Sequence, residues 1–211
     1  MPRLSTHGLT LSRGPRRLFT DLNWSLSSGQ ALVVRGSNGS GKTTLLRVLA
    51  GLSTADSGEV RWNGQRWKPL NASQRETCIY IGHINALKEE LSAAENLLDQ
   101  LNFDGGVHDV AARHAALERV GLGARADLLA RRLSQGQKRR VCLARLALSR
   151  KPVWLLDEPT NALDDEGVAL FVSLVEEHLA RGGIACIATH LALPLSRSIQ
   201  ELRLGDGAEM A

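Results

Sequence analysis

Two short runs in this sequence hold residue types that do phosphate chemistry. GSNGSGKT, from Gly36 to Thr43, satisfies the pattern G-x-x-x-x-G-K-[ST] in full. Its glycines let the backbone N–H groups of Gly36, Ser37, Asn38, Gly39, Ser40 and Gly41 close around phosphate oxygens, and a helix beginning there adds its positive end. Lys42 then reaches the outer phosphates of a nucleoside triphosphate, and Thr43, followed by Thr44, offers a hydroxyl to Mg2+. The second run is VWLLDEPT, from Val153 to Thr160. Four apolar residues bury a strand, so Asp157 emerges at the carboxyl edge of the sheet, where open α/β sheets bind ligands. Asp157 is placed to hold Mg2+ through water, and Glu158 to orient or deprotonate an attacking water. An Asp-Glu pair after a strand is otherwise an ordinary solvated strand end; the phosphate loop is what gives this one a catalytic meaning.

The elements that must position these groups are legible around them. QALVVRG reads as a short strand buried on both faces, and Thr43 to Leu52 as a helix that Gly51 terminates. Leu22, Trp24 and Leu26 alternate with polar residues in a half-buried strand. Asn63-Gly64 between two alternating runs predicts a hairpin. Ser92 with Glu95 predicts a capping box before Leu97, Leu98 and Leu101. Helices are expected over 107–120, stopped near Gly121, over 124–132, from Ser134 through Leu148, and over about 165–180. Two further buried strands are expected at 153–157 and 184–189. Apolar strands alternating with helices indicate an α/β domain, with a helical subdomain inserted at about 88–150.

Composition narrows the classes. A chain of 211 residues is about one domain on the usual scale, long enough for a substantial core. Cys78, Cys142 and Cys186 stand far apart, with neither zinc-site spacing nor a disulfide framework, which suits a reducing cytosol. The first residues lack an apolar signal core, and no apolar run approaches the ~20 residues of a membrane helix. The net charge of +4 is mild. The basic run RRLSQGQKRR, Arg131 to Arg140, suits nucleic acid, a solvated helix end or a phosphate-facing surface equally.

A phosphate loop and a strand ending in Asp-Glu define only a nucleotidase of the P-loop class. LSQGQ, Leu133 to Gln137, lies about twenty residues before VWLLDE; NALD, Asn161 to Asp164, follows it, and His190 follows the strand IACIAT. In this order the chain resembles the ATP-binding cassette (ABC) family over nearly its whole length. The resemblance implies an ABC-type nucleotide-binding domain with an antiparallel β subdomain and the inserted helical subdomain. It further implies a homodimer in which Leu133, Ser134, Gln135, Gly136 and Gln137 act in trans, Ser134 and Gly136 donating to the γ-phosphate of ATP held by the other copy. NALD would lie along the dimer seam and His190 would touch the γ-phosphate; without that context His190 is as readily an ordinary strand-end residue.

Three departures from the family pattern matter. Gln135 replaces the first of two glycines, which raises the question of whether that position needs positive φ. The aromatic that usually stacks on adenine is missing; Arg13 in LSRGPRRLF is the candidate replacement through its guanidinium plane, with Phe19 as competitor. His83 stands where the family has a glutamine that senses Mg2+ or water and moves the loop facing the membrane partner. A neutral imidazole can accept from water or contact a metal through one nitrogen. Read alone, His83 is equally a satisfied strand-end histidine. YIGH, Leu87-Lys88, LSAAENL and RGPRRLF are similar to the ATP-binding subunits of cytochrome c maturation (haem exporter) systems. That similarity implies a complex of two such ATPases with two membrane subunits of the CcmB type, peripheral on the cytoplasmic face of a bacterial inner membrane, coupling ATP hydrolysis to haem export or release of a haem-loaded chaperone. It implies no direct nucleic acid. Export of another solute, or a nucleic-acid ATPase, remains the alternative.

Overall fold

β1 (Arg3–Arg13) and β2 (Arg16–Ser27) form a long antiparallel ribbon. Gly14-Pro15 turns it in two residues, and Gly14 takes φ +59, the positive value that a two-residue hairpin with glycine leading requires. Only the second strand was readable, because β1 buries Leu4, Ser5 and Thr6 in succession and shifts register twice between Thr6 and Leu11, which destroys its alternation. β3 (Ala31–Arg35) and α1 (Lys42–Leu49) follow as expected, with Leu45, Leu46 and Leu49 fully buried. β4 (Ser57–Trp62) and β5 (Gln65–Arg66) are joined by Asn63 at φ 50 and Gly64 at φ 80, the left-handed pair of a type I′ turn.

The computed structural model describes residues 2–67, 72–105, 109–205 and 209–210. The chain divides into two compact units, the first comprising Met1–Tyr80, Lys151–Glu158 and Val175–Ala211, the second Ile81–Arg150 and Pro159–Leu174. The remaining elements are α2 (Ala72–Thr77), β6 (Cys78–Ile81), α3 (Ala93–Phe103), α4 (Val110–Arg119), α5 (Gln135–Leu148), β7 (Val153–Asp157), α6 (Asp165–Ala180), β8 (Ile184–Ala188), β9 (Ile199–Arg203) and β10 (Glu209–Met210).

The first unit is built on two sheets. One is antiparallel, in the order β2-β1-β4-β5; the other has the order β10-β9-β3-β8-β7-β6. Within the second, β3, β7 and β8 pair in parallel, and every residue of β7 and β8 is buried. That explains why both read as unbroken apolar runs rather than alternating ones. Leu45, Leu46 and Leu49 of α1 join Leu32, Val34, Leu155 and Cys186 in a core that extends to Trp24 and Leu26 of the ribbon. His178 of α6 is enclosed in this unit, its ring stacked 4.0 Å from Trp154 at 10°. Its Nε2 lies 3.1 Å from the Ile184 carbonyl, to which it donates, and burial above all pulls its pKa down to about 4. Gly183 is required beside it, since a Cβ there would stand 2.2 Å from the ring.

In the second unit, Ser92 caps α3 through the expected capping box with Glu95. Burying Leu97 and Leu101 of α3, Leu117 of α4 and Val141 of α5 gives it a core. The helix expected from 107 begins at Val110; residues 107 and 108 lie outside the described residues. The helix expected over 124–132 is not there. Two 3-10 turns, Gly123–Arg125 and Ala130–Arg132, stand in its place. The carbonyls of Ala126 and Leu128 accept instead from the N–H groups of Ala94 and Ala93 at 2.9 and 3.1 Å. Those two amides open α3 and have no acceptor within the helix, so the segment satisfies a neighbouring helix rather than propagating as one.

Candidate active site

The phosphate-loop residues bridge β3 and α1 in the first unit. Gly36, Gly39 and Gly41 take φ of 146, 79 and 105, values that a side chain resists. At Gly36 a Cβ would stand 2.3 Å from the Leu204 carbonyl and 2.5 Å from Ser40 Oγ, so glycine is obligatory there by contact as well. Lys42 is buried, and its ammonium lies 2.8 Å from the Gly36 carbonyl, 3.2 Å from the Ser37 carbonyl and 3.2 Å from His190 Nε2. An ammonium has three protons, so this one is fully engaged. Thr43 and Thr44 follow in the first turn of α1, Thr43 exposed and Thr44 partly so.

The carboxylates arrive from β7 as the apolar run dictated. Asp157 ends the strand with 1 % exposure, and both its carboxylate oxygens are buried with no hydrogen-bond partner among the described residues. Its charge reinforces burial in pushing the Tyr80 hydroxyl up to about 12, against a smaller opposing effect of Arg47. Glu158 turns out of the strand at φ 48, in the left-handed region, with its N–H donated to the Ala188 carbonyl at 2.8 Å. A non-glycine residue held there costs about 1–3 kcal/mol, of the kind that clusters at functional sites. His190 lies just beyond β8, and its Nε2 is 3.3 Å from Glu158 Oε1. The same nitrogen faces Lys42. It accepts from Lys42 when unprotonated or donates to Glu158 when protonated, and cannot do both with one tautomer.

The second unit gathers another set. Ser134 caps α5 by accepting from Gln137 N–H at 3.2 Å, while Gln137 Oε1 accepts from Ser134 N–H at 3.0 Å. Gln137 is thus consumed in the cap, and the Ser134 hydroxyl keeps its own proton for an acceptor outside. Gln135 is the first helical residue and is not among the positive-φ positions, so that site has no need of glycine. Gly136 does need to be glycine: a Cβ there would approach the Ala162 carbonyl to 2.6 Å. Leu133 is buried just before. In NALD, Ala162 is left-handed at φ 65, and Asn161 Nδ2 stands 3.4 Å from His83 Nδ1. Asp164 accepts from Gly167 N–H at the start of α6 and from Arg140, and both hold its carboxyl below the usual range. His83 sits two residues past β6, in a loop rather than at the strand end itself.

Arg13 is exposed at the ribbon tip, opposite Arg16 in the register, while Phe19 is packed in the core at 4 % exposure and is unavailable for stacking on a base. Arg16 was missed by the sequence reading: its Nη1 lies 4.0 Å from where a Cβ on Gly39 would be, beside the phosphate loop. The Gly-Pro dipeptide between the two arginines was the signal for the turn that brings it there. The basic run also resolves. Lys138 pairs with Glu89 at 2.7 Å, Arg139 is buried and donates to the Gly82 and His83 carbonyls at 3.1 and 3.0 Å, and Arg140 pairs with Asp164 at 2.7 Å. Three successive cations are internal ties, which argues against the nucleic-acid reading of that run. Among the described residues there is no cluster of His, Cys, Asp and Glu able to hold a metal unaided, and no helix is long and apolar enough to cross a membrane.

Comparison with known proteins agrees with this geometry. The ABC transporter family profile matches residues 19–161. A cytochrome c biogenesis ATP-binding export protein CcmA from Methylococcus capsulatus is 48% identical over 201 residues, covering 95% of this chain and 97% of its own. A protein of the same name from Dechloromonas aromatica is 43% identical over 210 residues, covering 96% and 100%. Among solved structures, a dimeric ATP-binding cassette in a post-hydrolysis state bound to ADP and Pi superposes with a TM-score of 0.80 at 23% identity, over 98% of this chain and 97% of that one. An ATP-binding subunit of an ABC transporter gives 0.82 at 22% identity, over 98% and 89%. The chain belongs to the ABC transporter family, as one of its ATP-binding, ATP-hydrolysing members.

Proposed function

We propose that this chain is the ATPase of a bacterial cytochrome c biogenesis complex, acting as two copies that drive two membrane subunits of the CcmB type from the cytoplasmic face of the inner membrane. The work done would be haem export or release of a haem-loaded chaperone. What supports hydrolysis best is one observation: Lys42, His190 and Glu158 meet through a single imidazole nitrogen, 3.2 Å from one and 3.3 Å from the other. The biogenesis role rests on the name carried by relatives that match this chain over nearly its whole length. Residues 1–211 would form one nucleotide-binding domain, with about 88–150 as its helical subdomain.

The residues suggest how the reaction proceeds. Backbone N–H groups from Gly39 to Thr44 at the start of α1 bind the phosphates. Because all three Lys42 protons are engaged, a γ-phosphate oxygen must displace one partner, and the half-exposed His190 ring is the only side chain among the three, the others being backbone carbonyls. Once released, the neutral ring can exchange through water to the tautomer with its proton on Nε2, and then donates to Glu158 or to the γ-phosphate. Glu158 orients the attacking water and takes its proton. Asp157, whose buried oxygens have no hydrogen-bond partner among the described residues, and the Thr43 hydroxyl would hold a Mg2+, which would neutralise charge building on the triphosphate. Ser134 and Gly136 of the second copy would close on the same γ-phosphate, and His83 would report its presence to the loop that meets the membrane partner.

Glu158→Gln is the direct test. Turnover should fall about 10²–10⁴-fold, the range of a general base, while ATP binding persists and the chain accumulates as a dimer on gel filtration. A wild-type rate would remove Glu158 from the base role. Isolation of the tagged chain from membranes should bring down an integral membrane protein; RNA-stimulated turnover without such a companion would favour the nucleic-acid ATPase instead.

A further inference from the structure

We infer that Arg125 is a further nucleotide-binding residue, contacting the ATP held by a second copy of the chain; the inference rests on the two-copy reading above. Arg125 lines, together with Ser134 and Gly136, a concavity of about 610 Å3 in the second unit. Two acidic residues share that wall, Asp164 and Glu166, and both face Arg140, at 2.7 and 3.8 Å. Arg140 also donates to the Val120 carbonyl at 3.1 Å, so its guanidinium is committed. Arg125 is different. It is exposed, and among the described residues its guanidinium has no hydrogen-bond or ion-pair partner.

Its backbone is nonetheless fixed. Arg125 closes the 3-10 turn Gly123–Arg125 by donating to the Leu122 carbonyl at 2.9 Å. Gly123 in that turn is pressed against Glu118 of α4, where a Cβ would stand 2.8 Å from its side chain. An uncommitted guanidinium on a hydrogen-bonded turn, sharing its concavity with Ser134, presents a planar fork of donors to phosphate or ribose oxygens and a flat face to a base. This chain has particular use for such a group, because its own ribbon tip offers Arg13 and no aromatic side chain for adenine.

Mixing an impaired copy with an inactive one tests the inference. Arg125→Ala should raise KM for ATP at least tenfold with a smaller loss in kcat, and Arg125→Lys should fall between. Lys42→Ala should be inactive. In a mixed dimer, the Lys42 of the Arg125→Ala copy faces the intact Arg125 of the other, so an equimolar mixture at low ATP should recover up to about a quarter of the wild-type rate, the share of complete sites that random pairing gives. The same mixture made with Ser134→Ala is the control for action in trans. Recovery with Ser134→Ala but not with Arg125→Ala, or an unchanged KM in Arg125→Ala, overturns the role of Arg125 alone. No recovery in either mixture overturns the two-copy reading and this inference with it.

Discussion

Acidification should weaken the first unit through one residue, His178. Its ring is 3 % exposed, stacked on Trp154, and donates to the Ile184 carbonyl; burial holds its pKa at about 4 against the usual 6.5. The folded chain therefore keeps this imidazole neutral where the unfolded chain protonates it. Below about pH 6.5 the unfolded state binds the extra proton, so stability is complete above that pH and falls as pH drops towards 4, where the loss reaches roughly 3 kcal/mol. Between about pH 7.5 and 5 the same shift removes about 2 kcal/mol. With a urea slope of about 2 kcal/mol/M, that moves the unfolding midpoint down by about 1 M. Tryptophan fluorescence during urea unfolding, at both pH values, would read it, with His178→Gln as the comparison because glutamine can donate to the same carbonyl and does not titrate. The variant should lose markedly less on acidification than the parent. Equal losses in the two would refute the assignment.

Gly136→Ala should leave nucleotide binding to the isolated chain intact while turnover drops by an order of magnitude or more, because the new methyl displaces the Ala162 carbonyl; ATPase assays beside nucleotide titrations check it. Gly36→Ala should cost about 1–3 kcal/mol in thermal unfolding and abolish high-affinity ATP binding, since it adds a Cβ at positive φ against backbone. Asp104→Asn breaks a two-point pair with Arg145, at 2.7 and 2.8 Å and largely buried, and should destabilise by about 3 kcal/mol in denaturant unfolding without changing KM for ATP.

What could be read from the sequence was whatever depends on local chemistry. The phosphate loop, the capping box at Ser92, the helix start at Ser134, the Asn63-Gly64 turn and the doubly buried strands each carry their signal within a few residues, and each is where it was expected. The errors arose where a segment serves a distant one. Residues 126–130 look helical in composition, but their carbonyls and amides are claimed by residues 91–94. β1 hides because its bulges break the period that identifies a strand. Arg16 could not be placed beside Gly39 without knowing the ribbon's register, and the ties of Lys138, Arg139 and Arg140 look in sequence like any basic patch.

Those three ties also change what the formal charge of the chain means to other molecules. A guanidinium sunk among carbonyls and two neighbours clamped to carboxylates send little field into solvent, so counting basic letters overstates the attraction this face exerts on polyanions. Added salt should consequently act here by loosening the fold of the second unit, and hardly at all by releasing adhering partners.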